Sequence, residues 1–171
     1  DRIDIDAPEI RLEGFAKILD EDMRHDLRNY LFSYGNENLE VEDISSIIKY
    51  NELDSVERAP YGQGIFKKII KDTMSVNDFE DLKYELMRKG NEFFNIPMDK
   101  FNLDVVLSIN NYHAGYAAMA HNPCLTVPMK LRKNNEPAGL TIIGKSFEEQ
   151  KLYEIGYFFE KSFKGRVPPK N

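Results

Sequence analysis

The hydrophobic period of this chain changes near residue 100, and that change limits the folds open to it. Across residues 10–34 apolar side chains, among them Ile10, Phe15, Ile18, Met23, Leu27 and Leu31, recur at three- and four-residue steps before the stop signal Gly35-Asn36. That spacing predicts one long or broken amphipathic helix, with Gly14 and the acidic Asp20-Glu21-Asp22 as the places for a break. A second helix is predicted over 41–53 with Val41, Ile44, Ile47 and Ile48 inward, and a short one over 65–71 after the Pro- and Gly-containing loop 58–64. Another begins at Ser75, with Asp78 three residues on as an acidic variant of the capping box, and ends at Pro97. Beyond residue 100 the segments 103–109, 124–130 and 138–144 are short, apolar and β-branched, and the polar stretch 132–137 joins the last two as a hairpin. A terminal helix is predicted over 147–163, with Leu152, Ile155, Phe159 and Phe163 inward, before Pro168-Pro169.

Helices followed by strands make this an α/β chain, a mixed β-sheet flanked by helices. With only three strands the sheet reads as incomplete, a missing piece supplying the others. The 171 residues are expected to form a single domain, with a helical first half over 10–97, a strand-rich part over 103–144 and the terminal helix. One cysteine, Cys124, excludes a disulfide scaffold. The 23 Lys and Arg against 29 Asp and Glu leave a net charge of −6, which argues against nucleic acid as a ligand, because that affinity comes from cations neutralising phosphates. No apolar run approaches the roughly 18 residues of a membrane span, so no membrane partner is expected. The start, Asp1-Arg-Ile-Asp-Ile-Asp6, lacks Met, a basic region and an apolar core, and reads as an internal cut of a cytoplasmic protein.

Gly139-Leu-Thr-Ile-Ile-Gly-Lys145-Ser146 satisfies the phosphate-loop pattern, but its interior is strand-like and a polar turn precedes it, so it reads as a strand ending at Gly144. His113, His121 and Cys124 follow no zinc spacing; the histidines read as loop or pocket-wall residues and Cys124 as a small buried hydrophobe opening a strand. No metal or cofactor is expected. His25 reads as solvated, Ser45-Ser46 as surface filling, and Asp20-Glu21-Asp22 and Asp78-Phe-Glu-Asp81 as solvated helix faces. No glycine-flanked serine with an adjacent base is visible.

The C-terminal third carries a recognisable set of motifs: Met119-Ala-His-Asn-Pro-Cys-Leu-Thr-Val-Pro128, Pro137-Ala-Gly-Leu-Thr-Ile-Ile-Gly-Lys145, Phe147-Glu-Glu-Gln-Lys-Leu152 and Phe158-Phe-Glu160. Together they resemble the end of amidase-signature hydrolases, where A-G-Y-P-x-[IL]-T-V-P and P-x-G-[LI]-x-[FI]-[IL]-G-K precede a terminal helix and a Pro-rich tail. Earlier segments follow in order: Asp22-Met-Arg-His-Asp-Leu-Arg-Asn-Tyr-Leu31, then residues 44–51, then Pro60-Tyr-Gly-Gln63. The likeness runs over residues 15–170. His121-Asn122 replaces the family's Gly-Tyr, and Ser108 stands where a proline is common.

The resemblance implies amide hydrolysis by a serine, a cis-serine and a lysine, the serines lying in a Gly-Gly-Ser-Ser-Gly-Gly-type motif upstream of the matched segments. This sequence has no Gly-Gly pair and no lysine that matches the catalytic one. It therefore resembles the C-terminal region of such an enzyme, without catalytic residues of its own and inactive alone. Its implied partners are the missing N-terminal amidase region and a small amide substrate. Asn110, Asn111, Tyr112 and His113, with Tyr61 and Gln63 as a weaker choice, are the candidate substrate-binding residues, because amides, a phenol and an imidazole orient a polar ligand. The plainer reading makes all six a loop exposed by truncation. Two other readings keep the scaffold: part of a tRNA-dependent amidotransferase A-type subunit, or a non-catalytic binding module. Strands buried in the parent would expose apolar surface or unpaired edges here, so marginal stability or a homodimer through the sheet or apolar surface is expected.

Overall fold

The computed structural model describes Asp4 and residues 13–168, which fall into two compact units, Glu13–Lys83 and a second running from Tyr84 onward. Ile10, the first residue of the predicted apolar series, and the terminal Pro169 lie outside the described residues.

The first unit is helical. Helix α1 (Phe15–Tyr34) starts after Gly14, whose φ of 89° is left-handed and suits a residue without Cβ. It runs unbroken through Asp20-Glu21-Asp22, and that segment is not the solvated face the charges suggested. Glu21 is 3% exposed, accepts the Met74 N–H at 3.0 Å and pairs with Arg24, whose Nη2 also donates to the carbonyls of Ile69 and Asp72. A charge buried in this way is tolerated because it is paired and hydrogen-bonded. Asp20 pairs with Lys68, whose ammonium is held above its ordinary range by that contact.

Helix α2 (Ile44–Glu52) follows, then α3 (Ser55–Arg58) and α4 (Gly64–Lys71). Ile44, Ile48 and Ile69 form the unit's buried cluster, with Leu27 and Phe66 packed on it. Ser46 is more than surface filling. It completes a capping box, its N–H donating to Asp43 Oδ1 at 2.8 Å and its Oγ accepting the Asp43 N–H at 3.0 Å. The Ser46 N–H is the main reason the Asp43 carboxyl titrates below its ordinary range.

Helix α5 (Val76–Phe93) opens as the sequence predicts: Ser75 Oγ accepts the Asp78 N–H at 3.1 Å and donates to the Asp78 carboxylate at 2.6 Å. Pro97 does not end it. The helix stops at Phe93, and Pro97 lies in the first turn of α6 (Asn95–Lys100), where a missing N–H costs nothing.

In the second unit, β1 (Val106–Ile109), β2 (Cys124–Leu131) and β3 (Pro137–Ile143) form a sheet in the order β1-β3-β2, flanked by helices as expected, with all three described strands antiparallel. The predicted hairpin is β2–β3, with a bulge between Pro128 and Leu131. A short helix, α7 (Ala114–Met119), follows β1, and α8 (Glu149–Ser162) follows β3. Helix α8 packs on one face of the sheet, burying Val127, Ile142 and Leu152. Leu107 and Ile109 share that face by register, yet they are 59% and 54% exposed. The opposite face meets the end of α5 and α7 through Phe94, Ala117, Ala120 and Ile143. Gly90 permits that approach, because a Cβ there would stand 2.6 Å from the Ala120 nitrogen. Among the described residues no helix is long and apolar enough to cross a membrane.

Candidate functional site

The face beneath α7 carries a row of hydroxyls. The register sets Ser108 of β1 beside Thr141 of β3 and Thr126 of β2, and alternation points all three the same way. Ser108 and Thr141 are buried, and Thr126 and Thr141 share a hydrogen bond of 2.8 Å. The Thr141 hydroxyl donates to the carbonyl of Asn110, the residue that leaves β1.

Asn110 has a φ of 51°, a conformation asparagine adopts more readily than most residues. Its N–H donates to the Gly139 carbonyl at 2.8 Å, and its Oδ1 accepts the Gly139 N–H at 2.9 Å. Half of the side-chain amide therefore holds the end of β1 to β3, while Nδ2 makes no hydrogen bond among the described residues. Asn111 and Tyr112 continue the turn and are exposed, Tyr112 by 67%.

His113 ends the turn at the start of α7, half-buried. Its Nδ1 is 2.7 Å from Ser108 Oγ, and its ring lies 5.6 Å from the rings of both Phe93 and Tyr116. With Ser108 donating, Nε2 carries the proton; with Ser108 accepting, Nε2 offers a lone pair. Among the described residues no carboxylate bonds His113, so the pair lacks the third group that orients a catalytic base. What the arrangement does chemically is hold an imidazole against a hydroxyl and two rings, three residues along the same turn from an amide donor that makes no hydrogen bond among the described residues.

Tyr61 and Gln63 belong to the helical unit. Tyr61 is fully exposed beside Gly62, whose φ is 76°. Gln63 accepts from Asn51 Nδ2 at 3.1 Å and donates to the Ile48 carbonyl at 3.2 Å, which ties the α4 entrance to α2. The structure thus gathers Asn110, Asn111, Tyr112 and His113 in one turn and places the other two in a different unit.

Sequence reasoning missed Ser108, Thr141, Phe93 and Tyr116. The hydroxyl row was findable, since Ser108 interrupts an apolar strand and Thr126 and Thr141 occupy alternate positions of a hairpin. The aromatic flanks of His113 were not, because they depend on how α5 and α7 approach the sheet. Cys124 opens β2 as expected but is exposed rather than buried, and desolvation raises its thiol. Residues 139–143 of the phosphate-loop pattern are strand, and Lys145 is engaged by Asp99, which raises its ammonium. No group of three metal-binding side chains gathers among the described residues.

No family model matches the chain. The A-type subunit of glutamyl-tRNA(Gln) amidotransferase from Limosilactobacillus reuteri is 47% identical over 45 residues, covering 26% of this chain and 9% of that protein. An Arabidopsis thaliana protein described as a probable amidase is 26% identical over 136 residues, 76% of this chain and 26% of its own length. Among solved structures, an amidase family protein from Bacillus anthracis superimposes with a TM-score of 0.79 at 33% identity, over 86% of this chain and 29% of that one. The native peptide amidase of Stenotrophomonas maltophilia gives 0.78 over 95% of this chain and 37% of its own, and at 21% identity that likeness speaks for the fold alone. The chain spans well under half the length of each of these proteins.

Proposed function

We propose, from a chain whose relatives and structural neighbours are amidase-signature proteins, that it serves as the C-terminal region of an amide hydrolase, contributing scaffold and part of the substrate wall. The observation that carries this reading is the 33% identity at a TM-score of 0.79 to an amidase family protein over 86% of the chain. Its partner is then an N-terminal amidase region on the same polypeptide, which brings the serine, cis-serine and lysine; residues 1–171 supply none of them and are inactive alone. A small amide is the substrate, in a cytoplasmic enzyme that needs no cofactor.

Within the wall, residues 110–113 present the groups that meet a polar substrate. Asn110 Nδ2 offers a donor to a carbonyl, His113 Nε2 adds a donor or acceptor held in place by Phe93 and Tyr116, and Asn111 and Tyr112 close the rim. In the helical unit Tyr61 is fully exposed, whereas Gln63 acts through the loop it anchors. The exposed Leu107 and Ile109 are apolar surface that the rest of the enzyme covers, and a homodimer covers it when the chain is alone.

A second reading rests on the 47% identity to the A-type subunit of the amidotransferase, higher than the identities to the three amidases but confined to 45 residues. It makes the chain part of a protein that works within a complex on charged tRNA. The net charge of −6 leaves any RNA contact to other parts of that assembly.

The deciding experiment incubates the purified chain with carboxamides and anilides and titrates it with a fluorophosphonate. No product above buffer blanks and no labelling are expected. Turnover with one equivalent of label overturns the scaffold reading. The codons upstream of Asp1 should encode a glycine- and serine-rich nucleophile segment; a start codon there instead removes the premise. Co-purification with a partner protein of such a complex transfers support to the amidotransferase reading.

A further inference from the structure

The hydroxyls on the face beneath α7 are ordered by what each can donate to. A carbonyl only accepts, so the Thr141 proton goes to the Asn110 carbonyl, and the proton shared between Thr126 and Thr141 then comes from Thr126. Ser108 stands beside Thr141 in the register but takes no part in that chain. It is 5% exposed, and its Oγ has a single side-chain partner among the described residues, His113 Nδ1 at 2.7 Å.

That isolation decides the direction of the bond. A buried Ser108 that accepted from Nδ1 would leave its own proton without an acceptor, at the cost of an unsatisfied buried donor. A Ser108 that donates gives the proton to the Nδ1 lone pair, and the neutral imidazole then carries its own proton on Nε2. The ring is held for this contact. Phe93 stacks on it at 5.6 Å and 29°, Tyr116 packs at 5.6 Å, and the His113 carbonyl accepts the Ala117 N–H at 2.9 Å. Nε2, on the other side of the ring, makes no hydrogen bond among the described residues. The buried side-chain nitrogens and oxygens without a partner there are Arg24 Nε and Asn122 Oδ1, so His113 Nε2 reaches the surface.

We propose that Ser108 is a positioning residue that fixes His113 as the Nε2–H tautomer, so that this point of the candidate substrate wall presents a hydrogen-bond donor and selects a substrate with a carbonyl or carboxylate oxygen there. The choice of substrate rests on residues 110–113 being wall, whereas the tautomer stands without it. Amidase-signature hydrolases commonly carry a proline where Ser108 stands, so this control belongs to the chain rather than to the family.

The test reads the imidazole nitrogens of the 171-residue chain, labelled with nitrogen-15 in its histidines, by NMR. A pH of about 8.5 keeps the rings neutral, since the ordinary imidazole pKa is about 6.5. The His113 signals are those lost in His113→Gln. Nε2 should resonate as the protonated nitrogen and Nδ1 as the bare one. In Ser108→Ala the share of the Nδ1–H tautomer should rise about fivefold, the weight of one neutral hydrogen bond. Ser108→Thr, which keeps a hydroxyl, should restore the original ratio, and the dispersion of the amide signals confirms that each variant folds. A protonated Nδ1 in the unaltered chain, or the same ratio in Ser108→Ala, overturns the proposal.

N,N-Dimethylacetamide, an amide with an acceptor and no donor, then probes the wall. Saturable shifts at Nε2 are expected, about threefold weaker in affinity in Ser108→Ala, with none from the donor-only ring pyrrole. Pyrrole binding as tightly as dimethylacetamide overturns the donor role. The expected tautomer with no saturable shift from dimethylacetamide supports the positioning by Ser108 and removes His113 from the wall.

Discussion

The two units bury polar groups for different ends. In the helical unit buried polar contacts close on the main chain: Glu21 receives the Met74 N–H, Arg24 reaches the Ile69 and Asp72 carbonyls, and Gln63 reaches that of Ile48. Each is a clamp between elements. Even Arg24 Nε, which is buried without a partner, belongs to a guanidinium whose other two nitrogens are engaged. In the sheet unit Asn110 and Thr141 also close on the main chain, and beside these contacts stand a hydroxyl row, an imidazole packed against two aromatic rings, and the Asn122 oxygen with no partner. The side chains of residues 110–113 proposed as substrate wall lie in the sheet unit, whereas the polar contacts of the helical unit join its own segments.

The largest expected effect tests that division in the helical unit. Glu21→Ala strands the Arg24 guanidinium and the Met74 N–H, and should lower stability by about 3 kcal/mol in urea unfolding. Hydrogen exchange should show the loss concentrated in residues 13–83, and an equal loss of protection around His113 would erase the distinction. Gly90→Ala makes the complementary change in the sheet unit. Its Cβ meets the Ala120 backbone, which cannot yield as a side chain tip would, and a cost of about 2 kcal/mol is expected, read as broadening of the Phe93 and Tyr116 ring signals.

Ser46→Ala removes one arm of the α2 capping box and should cost about 1 kcal/mol. Asp43, the other arm, adds a pH signature. Its native carboxyl titrates below the unfolded value of about 3.9, so its contribution is complete above that value and disappears as pH falls through the native one. In Asp43→Asn that acid-dependent part of the unfolding curve should be absent; its persistence assigns the acid sensitivity to another carboxylate. The smallest effect is at Tyr61, where full exposure predicts a change within about 0.5 kcal/mol for Tyr61→Ala. A larger loss gives the tyrosine a structural role that its surroundings in the helical unit do not show.

Element types were legible in the sequence because period and turn chemistry are local. The step pattern of α1, the Ser75–Asp78 start of α5 and the β2–β3 hairpin all follow from residues within a few positions of one another. Short elements escaped for the same reason: α7 is six residues long, too brief to display a period, and its interior Ala114-Gly-Tyr-Ala-Ala resembles a loop. Pro97 misled because a proline ends one helix or begins another, and the choice depended on Phe94 and Met98 being drawn into the core.

The sequence by itself determined the class, the order of the long helices and the three strands, and a family resemblance that the relatives bear out, since motifs such as Pro137-Ala-Gly-Leu-Thr-Ile-Ile-Gly are contiguous. It also nominated residues 110–113 as candidate substrate-binding residues. Tertiary structure alone decided that Glu21 is buried, that Asn110 spends its oxygen on Gly139, and that His121, Asn122 and Phe147 share a cleft. The physical reason is range. Propensity and periodicity act over one or two turns, whereas burial, pairing and cavity lining join residues that the chain brings together only once its sheet has formed.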